Sequence, residues 1–280
     1  MRSSALAWAT VVVGAASLPA TAVAQSAAGG VESKLGDATF YFAQKAWFAK
    51  WDSVVIDTQI VPPSAASPAP LLKLSNRHIQ MDETVPLTSF GARIGPWSLA
   101  ATVGWSTDFS DAKVAGGSMS RSEYDVNLGY AVTPNVTLAL LYKGGKNDVR
   151  GVAGSAAPEA VAFSQTLKGW GAGITATAPL AERLSGYATL AYGTGHSSVS
   201  LVDQRLPVKY ATAELGLAYR IPDFLGGRTS IQAGYRRQDV RINQVLPTYA
   251  LTPAPVEVSS TMSRVTSKTQ GFVIGGAISF

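Results

Sequence analysis

The chain has 280 residues, of which 46% are hydrophobic and only 15% charged, with 27 Gly, 15 Pro, no Cys and a formal net charge of +5. The lack of Cys excludes a disulfide framework, a zinc ribbon and thiol catalysis, and 10 Tyr, 9 Phe and 6 Trp exclude a disordered chain, which would be poor in aromatics. The charge is too mild for a nucleic-acid binder and no basic run is present, while a mean hydropathy of +0.14 is high for a soluble protein and low for a bundle of membrane helices.

Arg2, the apolar run Ala5–Ala16 and the small-x-small triplet Ala22-Val23-Ala24 predict a signal peptide over 1–24, cut before Gln25. As a membrane anchor the run is too short, because a bilayer needs roughly 20 apolar residues, and Pro19 interrupts it. Without Arg2 the mature chain carries a net charge of +4. Residues 25–37 read as a short N-terminal tail with no fold of its own.

From residue 38 onward no segment has 18 consecutive apolar residues, so membrane helices are excluded. What recurs is alternation with period two, the mark of a strand with one apolar face. A strand is expected around Ala38–Trp51, where Phe42 and Trp47 fall on opposite parities and a bulge near Gln44 would reconcile them. Another is expected around Pro86–Ile94. Then follow Leu99, Ala101, Val103 and Trp105; Tyr124, Val126, Leu128 and Tyr130; Leu138, Leu140 and Tyr142; Trp170, Ala172, Ile174 and Ala176. Next come Ala188, Leu190 and Tyr192; Leu215, Leu217 and Tyr219; Ile231, Ala233 and Tyr235; and finally Phe272, Ile274, Gly276, Ile278 and Phe280. Short turns are marked at Gly95-Pro96, Thr133-Pro134-Asn135, Pro179–Arg183 and Pro222–Gly227. Between them lie longer polar segments, at 53–83, 107–118, 144–160, 197–207 and 241–260. Val61–Pro70, inside the first, is a low-complexity stretch that reads as a surface segment.

The apolar faces end in aromatics. Tyr130, Tyr187 and Tyr219 lie near short turns, and Trp105, Tyr142, Trp170, Tyr192 and Tyr235 near long connections, although Tyr187 has the opposite parity to Leu190. Two aromatic girdles around an apolar band, with short turns at one end, are the pattern of a barrel in an outer membrane. In lipid every strand edge must be paired, so the sheet has to close. The expected fold is therefore all-β: a closed antiparallel up-and-down transmembrane β-barrel of about ten strands, with eight to twelve compatible with the pattern.

The terminal strand Gly271–Phe280, apolar at every second position and ending in Phe, resembles that of the bacterial outer-membrane β-barrel superfamily, and Leu128–Tyr142 resembles a periplasmic hairpin of the same proteins. The resemblance covers about residues 38–280. It implies a Gram-negative outer-membrane location and surroundings of outer-membrane lipid and lipopolysaccharide; because the sequence stops at the last strand, no peptidoglycan-binding domain is expected after the barrel. It also implies that Phe280 and Ile278 belong to the signal read by the barrel-assembly machinery. It is unspecific for activity and leaves the oligomeric state open.

Parity then sorts the polar residues. Arg121, Glu123, Asp125, Asn127, Lys143, Glu214, Gln232 and Arg236 are expected to face the lumen. Two readings stand: an internal salt-bridge network that fills a barrel of this size, or a charged constriction passing small solutes or ions. Lys146, Lys168, Lys209, Arg237 and Lys268 share parity with the lipid-facing residues and lie where a strand leaves the hydrocarbon. They read as snorkelling cations or as contacts to lipopolysaccharide phosphates. Two histidines, His78 near Asp82 and Glu83, and His196 near Ser197, Ser198 and Asp203, are the sole candidates for a rim base. Two histidines without spaced carboxylates make no metal set, and no Gly-rich element precedes a helix, so no cofactor is expected. The leading expectation is a non-enzymatic, porin-like barrel with a narrow charged lumen. The competing ones are a closed structural or adhesive barrel that displays its loops, and a rim hydrolase acting on lipid A or peptides.

Overall fold

The computed structural model describes residues 38–110, 118–150, 163–199, 202–224, 226–250 and 256–280; the expected signal peptide 1–24 and tail 25–37 lie outside them. Ten antiparallel strands follow one another: β1 Ala38–Val61, β2 Leu71–Ile94, β3 Trp97–Ser110, β4 Ser118–Thr133 and β5 Val136–Arg150; then β6 Phe163–Ala181, β7 Leu184–Val199, β8 Val202–Phe224, β9 Gly227–Ala250 and β10 Val256–Ser279. Each pairs with its sequence neighbours, and β1 pairs with β10, so the sheet closes. Phe40 and Phe280 complete that seam with two backbone hydrogen bonds, of 3.1 and 2.8 Å.

The geometry of closure follows from the registers. Starting at Thr39, partners run through Arg93, Ser98, Gly129, Ala139, Gly173, Ala191, Thr212, Gln238 and Thr269, and return to β1 at Trp51, twelve positions further on (39 to 51). Twelve rises of about 3.3 Å against ten spacings of about 4.8 Å tilt the strands by about 40°. The backbone wall then has a radius of about 10 Å, so side chains from opposite walls can meet at the axis.

At the short-turn end, Gly95 at φ +56° makes the tight β2–β3 connection, a left-handed conformation that suits glycine. Above it the two faces of the wall have opposite chemistry. Leu215 (68% exposed), Phe272 (70%), Leu190 and Trp170 stand on the outside, while Asn127, Asp125, Glu214 and Arg236 are buried inside. This polarity is the reverse of a soluble protein's. It is the one that lipid imposes on a barrel.

Two sequence expectations are corrected. The wall carries no bulge near Gln44, because the registers run unbroken from Tyr41 to Asp52 against β10 and from Ala38 to Val61 against β2. Phe42 and Phe48 therefore face out, and Trp47 is buried in the lumen. Tyr187 is likewise interior, as its parity requires, and belongs to no girdle.

The second correction concerns the long polar segments. Residues 53–61 and 71–83 are paired strand, from Ser53↔Ile79 to Val61↔Leu71, and most of 241–260 is the β9–β10 ladder. β3 runs on to Ser110, β5 to Arg150 and β7 to Val199, and β8 begins at Val202. In these segments the alternation disappears from the sequence while the backbone goes on pairing.

Above Asp52↔Lys268 the β1–β10 ladder ends, and the β1–β2 and β9–β10 hairpins rise as two arms. Their outer edges meet at the tips, Leu71–Lys73 against Thr248–Ala250, so that four strands curl into one projection. A third irregularity lies in the wall itself. The β2–β3 ladder ends at Leu87↔Gly104, and there β3 sets two residues, Trp105 and Ser106, opposite the single Ser122 of β4.

Candidate functional site

The lumen holds the chain's densest chemistry. Near the short turns it is lined by small hydroxyls, among them Thr175 and Thr189, 3.1 Å apart, and Ser89 and Thr102, 3.3 Å apart. Asn127 and Gln232 come next, both fully buried, with amide groups that meet no protein partner.

Above them lies a charged layer. Lys45 Nζ on β1 is 2.8 Å from Glu214 Oε1 on β8, and the Tyr187 hydroxyl donates to the same oxygen at 2.8 Å. Arg236 on β9 stands 4.0 Å from Glu214 Oε2 and 3.8 Å from Glu123 Oε1 on β4. Lys143 Nζ on β5 lies 3.0 Å from Glu123 and 3.3 Å from Asp125. Arg121 donates to Glu123 at 3.3 Å and to the Thr269 hydroxyl of β10 at 2.9 Å. Gln238 on β9 donates to Glu123 at 3.4 Å. In a ring of ten, β4 and β9 stand on opposite sides, so the Arg236–Glu123 and Gln238–Glu123 contacts cross the full width of the lumen.

Aromatic rings pack the same layer. The Arg236 guanidinium lies 4.8 Å from the Trp47 ring centroid, Arg121 lies 5.8 Å from Trp51, and Lys45 lies 5.3 Å from Tyr187. Flat rings over cations exclude water and add attraction, worth about 0.5–2 kcal/mol each. Four cations (Lys45, Arg121, Lys143, Arg236) face three carboxylates (Glu123, Asp125, Glu214). Buried charge at this density persists only because each member is paired.

All eight residues assigned to the lumen by parity lie inside the barrel, and the charged ones among them share this one network. Sequence reasoning missed Lys45 and Gln238. An unbroken parity through β1, with odd positions inward from Tyr41 to Trp51, was the signal for Lys45; the bulge reading sent it outward.

On the outer face Lys146, Lys168, Lys209, Arg237 and Lys268 are all exposed, joined by Lys50. Lys146 pairs with Asp148 at 2.8 Å, and Arg237 makes two 3.0 Å bonds to Asp239. Lys168, Lys209 and Lys268 carry no carboxylate partner among the described residues. Phe280, just past β10, is exposed and Ile278 on β10 half-buried, on the lipid side.

Among the described residues, no hydrogen bond joins either histidine to a serine. His78 Nε2 lies 2.6 Å from Asp52 on β1, not against Asp82, and both groups are solvent-exposed. His196 points outward; Ser197 is fully buried on the lumen side, and Ser198 is exposed on the same outer face as His196. The side chains of Glu83 and Asp203 lie outside the described residues.

A closed meander, an apolar outer belt and a polar interior define the class: a transmembrane β-barrel of the outer-membrane kind. No protein-family model matches the chain, and no curated protein sequence matches it. Among solved structures it is similar to the outer membrane protease OmpT from Escherichia coli, with 13% identity over 90% of this chain and 99% of that one and a TM-score of 0.49. It is also similar to the beta domain of the Bordetella autotransporter BrkA (12% identity, 87% and 99% covered, TM-score 0.43). The translocator domain of the autotransporter NalP from Neisseria meningitidis is comparable (13% identity, 92% of each chain covered, TM-score 0.43). At these identities the likeness is one of fold alone.

Proposed function

We propose that this protein is an integral outer-membrane barrel of a Gram-negative bacterium, exported by residues 1–24 and inserted by the barrel-assembly machinery through its last strand, with Phe280 and Ile278 in the signal. It is non-enzymatic and porin-like in a restricted sense: a narrow charged lumen passes small ions or solutes at most, and is shut at mid-height in its ground state. The observation that carries this reading is the bridge across the lumen, Arg236 between Glu214 on its own side and Glu123 on the opposite wall. Below the bridge, the unpartnered amides of Asn127 and Gln232 suit a hydrated antechamber, since buried polar groups without protein partners take up water. Lys146, Lys168, Lys209, Arg237 and Lys268 are the side chains that would meet lipopolysaccharide.

The test is conductance of the refolded mature protein in a planar lipid bilayer. Wild type gives small, infrequent steps at most, and Arg236→Ala or Glu123→Gln raises the open conductance several-fold. Large steady steps in wild type, unchanged by either substitution, would overturn the reading.

A second reading, surface display, has its own observation: β1, β2, β9 and β10 are each 24 residues long, against the roughly 9–11 that cross a bilayer. Deleting the projection above Asp52 and Lys268 would abolish adhesion to host cells while leaving conductance as it was, if display is the main role.

A further inference from the structure

A groove of about 440 Å³ opens on the outer wall where the β3 bulge interrupts the sheet, lined by Val103, Trp105, Tyr124, Lys146, Thr166 and Lys168 among others. Its shape comes from missing side chains. Tyr124 lies flat across Gly144, its register partner on β5, in space that a Cβ there would occupy. Below it an aromatic row continues sideways, with Tyr124 and Tyr142 centroids 6.1 Å apart and Tyr142 and Trp170 4.8 Å apart. At its upper rim are two ammonium groups: Lys146, held by Asp148 at 2.8 Å, and Lys168, exposed and without a carboxylate partner among the described residues. The groove sits at the height of the upper aromatics, eight or nine positions above the Gly95-Pro96 turn (96 to 104 and 105), where a strand reaches the outer-leaflet interface.

We infer that this groove is a binding site for one molecule of lipid A, the phosphorylated, acylated glucosamine disaccharide that anchors lipopolysaccharide. Lys168 and Lys146 take a glucosamine phosphate, the Trp105 and Tyr124 rings offer flat apolar faces to the sugar, and an acyl chain descends across the Tyr142–Trp170 pair. Charge, aromatic floor and height each match one part of the ligand: phosphate, pyranose and hydrocarbon. The outer cations elsewhere are set differently: Arg237, above the Tyr235–Phe272 ring pair, is held by Asp239 at 3.0 Å, and Lys268 lies in register between Asp52 and Asp239. The inference rests on the outer-membrane reading and sharpens it, from a diffuse cationic ring to one site with a stoichiometry.

The experiment uses the full mature barrel in nanodiscs of zwitterionic lipid, titrated with bis-phosphorylated lipid A and read by native mass spectrometry. Trp105 fluorescence, isolated as the difference from Trp105→Phe, gives a second signal. The expected result is one tightly held lipid A per barrel, weakened roughly tenfold or more by Lys146→Gln with Lys168→Gln, a loss of at least about 1.4 kcal/mol. Lys168→Arg retains binding. Lys209→Gln with Lys268→Gln leaves it unchanged, and Gly144→Ala weakens it by turning the Tyr124 ring without altering charge. Heat-modifiability on a gel verifies that each variant is folded. Equal losses from the two lysine pairs would overturn the site while leaving the outer-membrane reading intact, as would equal affinity for phosphatidylglycerol or for dephosphorylated lipid A. A barrel that fails to fractionate with outer membranes would remove the reading itself.

Discussion

The same strands live under different rules at two heights. At bilayer height each strand is bonded on both edges and the ring closes. In the projection, β2 between Lys73 and Leu87 and β9 between Ile242 and Thr248 have a ladder on one edge alone among the described residues. Lipid offers no hydrogen bonds, so an open edge there costs several kcal/mol per group; water fills the same groups above the membrane. Sheet closure is thus a response to the solvent, and where the solvent changes the fold relaxes to a looser, tip-closed curl.

The comparison can be broken hardest inside the lumen. Glu214→Leu leaves Lys45 buried without its partner and removes one support of Arg236, which should cost about 3–5 kcal/mol in urea unfolding of the reconstituted barrel. Adding Lys45→Met should recover most of that loss. If the double variant is as unstable as the single one, shape and not charge pairing holds the layer together. Next in size is a charge on the outer belt: Leu190→Arg should cost about 2–4 kcal/mol in lipid. The same change at exposed Val258, on the β10 arm, should stay within about 0.5 kcal/mol. Comparable costs at both positions would place the arm in the membrane. The smallest effect belongs to the tips. Thr248→Pro deletes one strand donor beside Lys73 and should leave the unfolding midpoint unmoved while speeding limited proteolysis of the arms.

The sequence was most legible where the environment is most asymmetric. From Leu99 to Trp105 and from Glu123 to Tyr130, one face meets hydrocarbon and the other the lumen, so parity sorted Glu123, Asp125 and Asn127 without a structure. β1 was harder, because its inner face carries Tyr41, Trp47 and Trp51 and its outer face Phe40, Phe42 and Phe48. Aromatics on both sides erase the pattern, and the inner tryptophans are there to cover Arg236 and Arg121. In 71–83 the pattern is lost for the opposite reason: Lys73 on one face and His78, Gln80 and Asp82 on the other are all exposed. Which charges meet was out of reach, since Lys45 finds Glu214 three strands away only through a twelve-residue stagger that no single strand records.

The seam between the first and last strands also sets an order of events. Lys45 and Glu214 are 169 residues apart in the chain, Arg121 and Thr269 148, and Gln238 and Glu123 115. Phe40 and Phe280 meet only when nearly all of the chain has been threaded into place. Loops of this length are slow to close and give nothing back until they do. Lys143 meets Glu123 and Asp125 within the β4–β5 hairpin, 20 and 18 residues away, so those pairs need no closed ring. The contacts that span the ring, Lys45–Glu214, Arg121–Thr269 and the Glu123 bridges to β9, are therefore the last to form, and a chain interrupted before Gly271 would carry the local pairs without them.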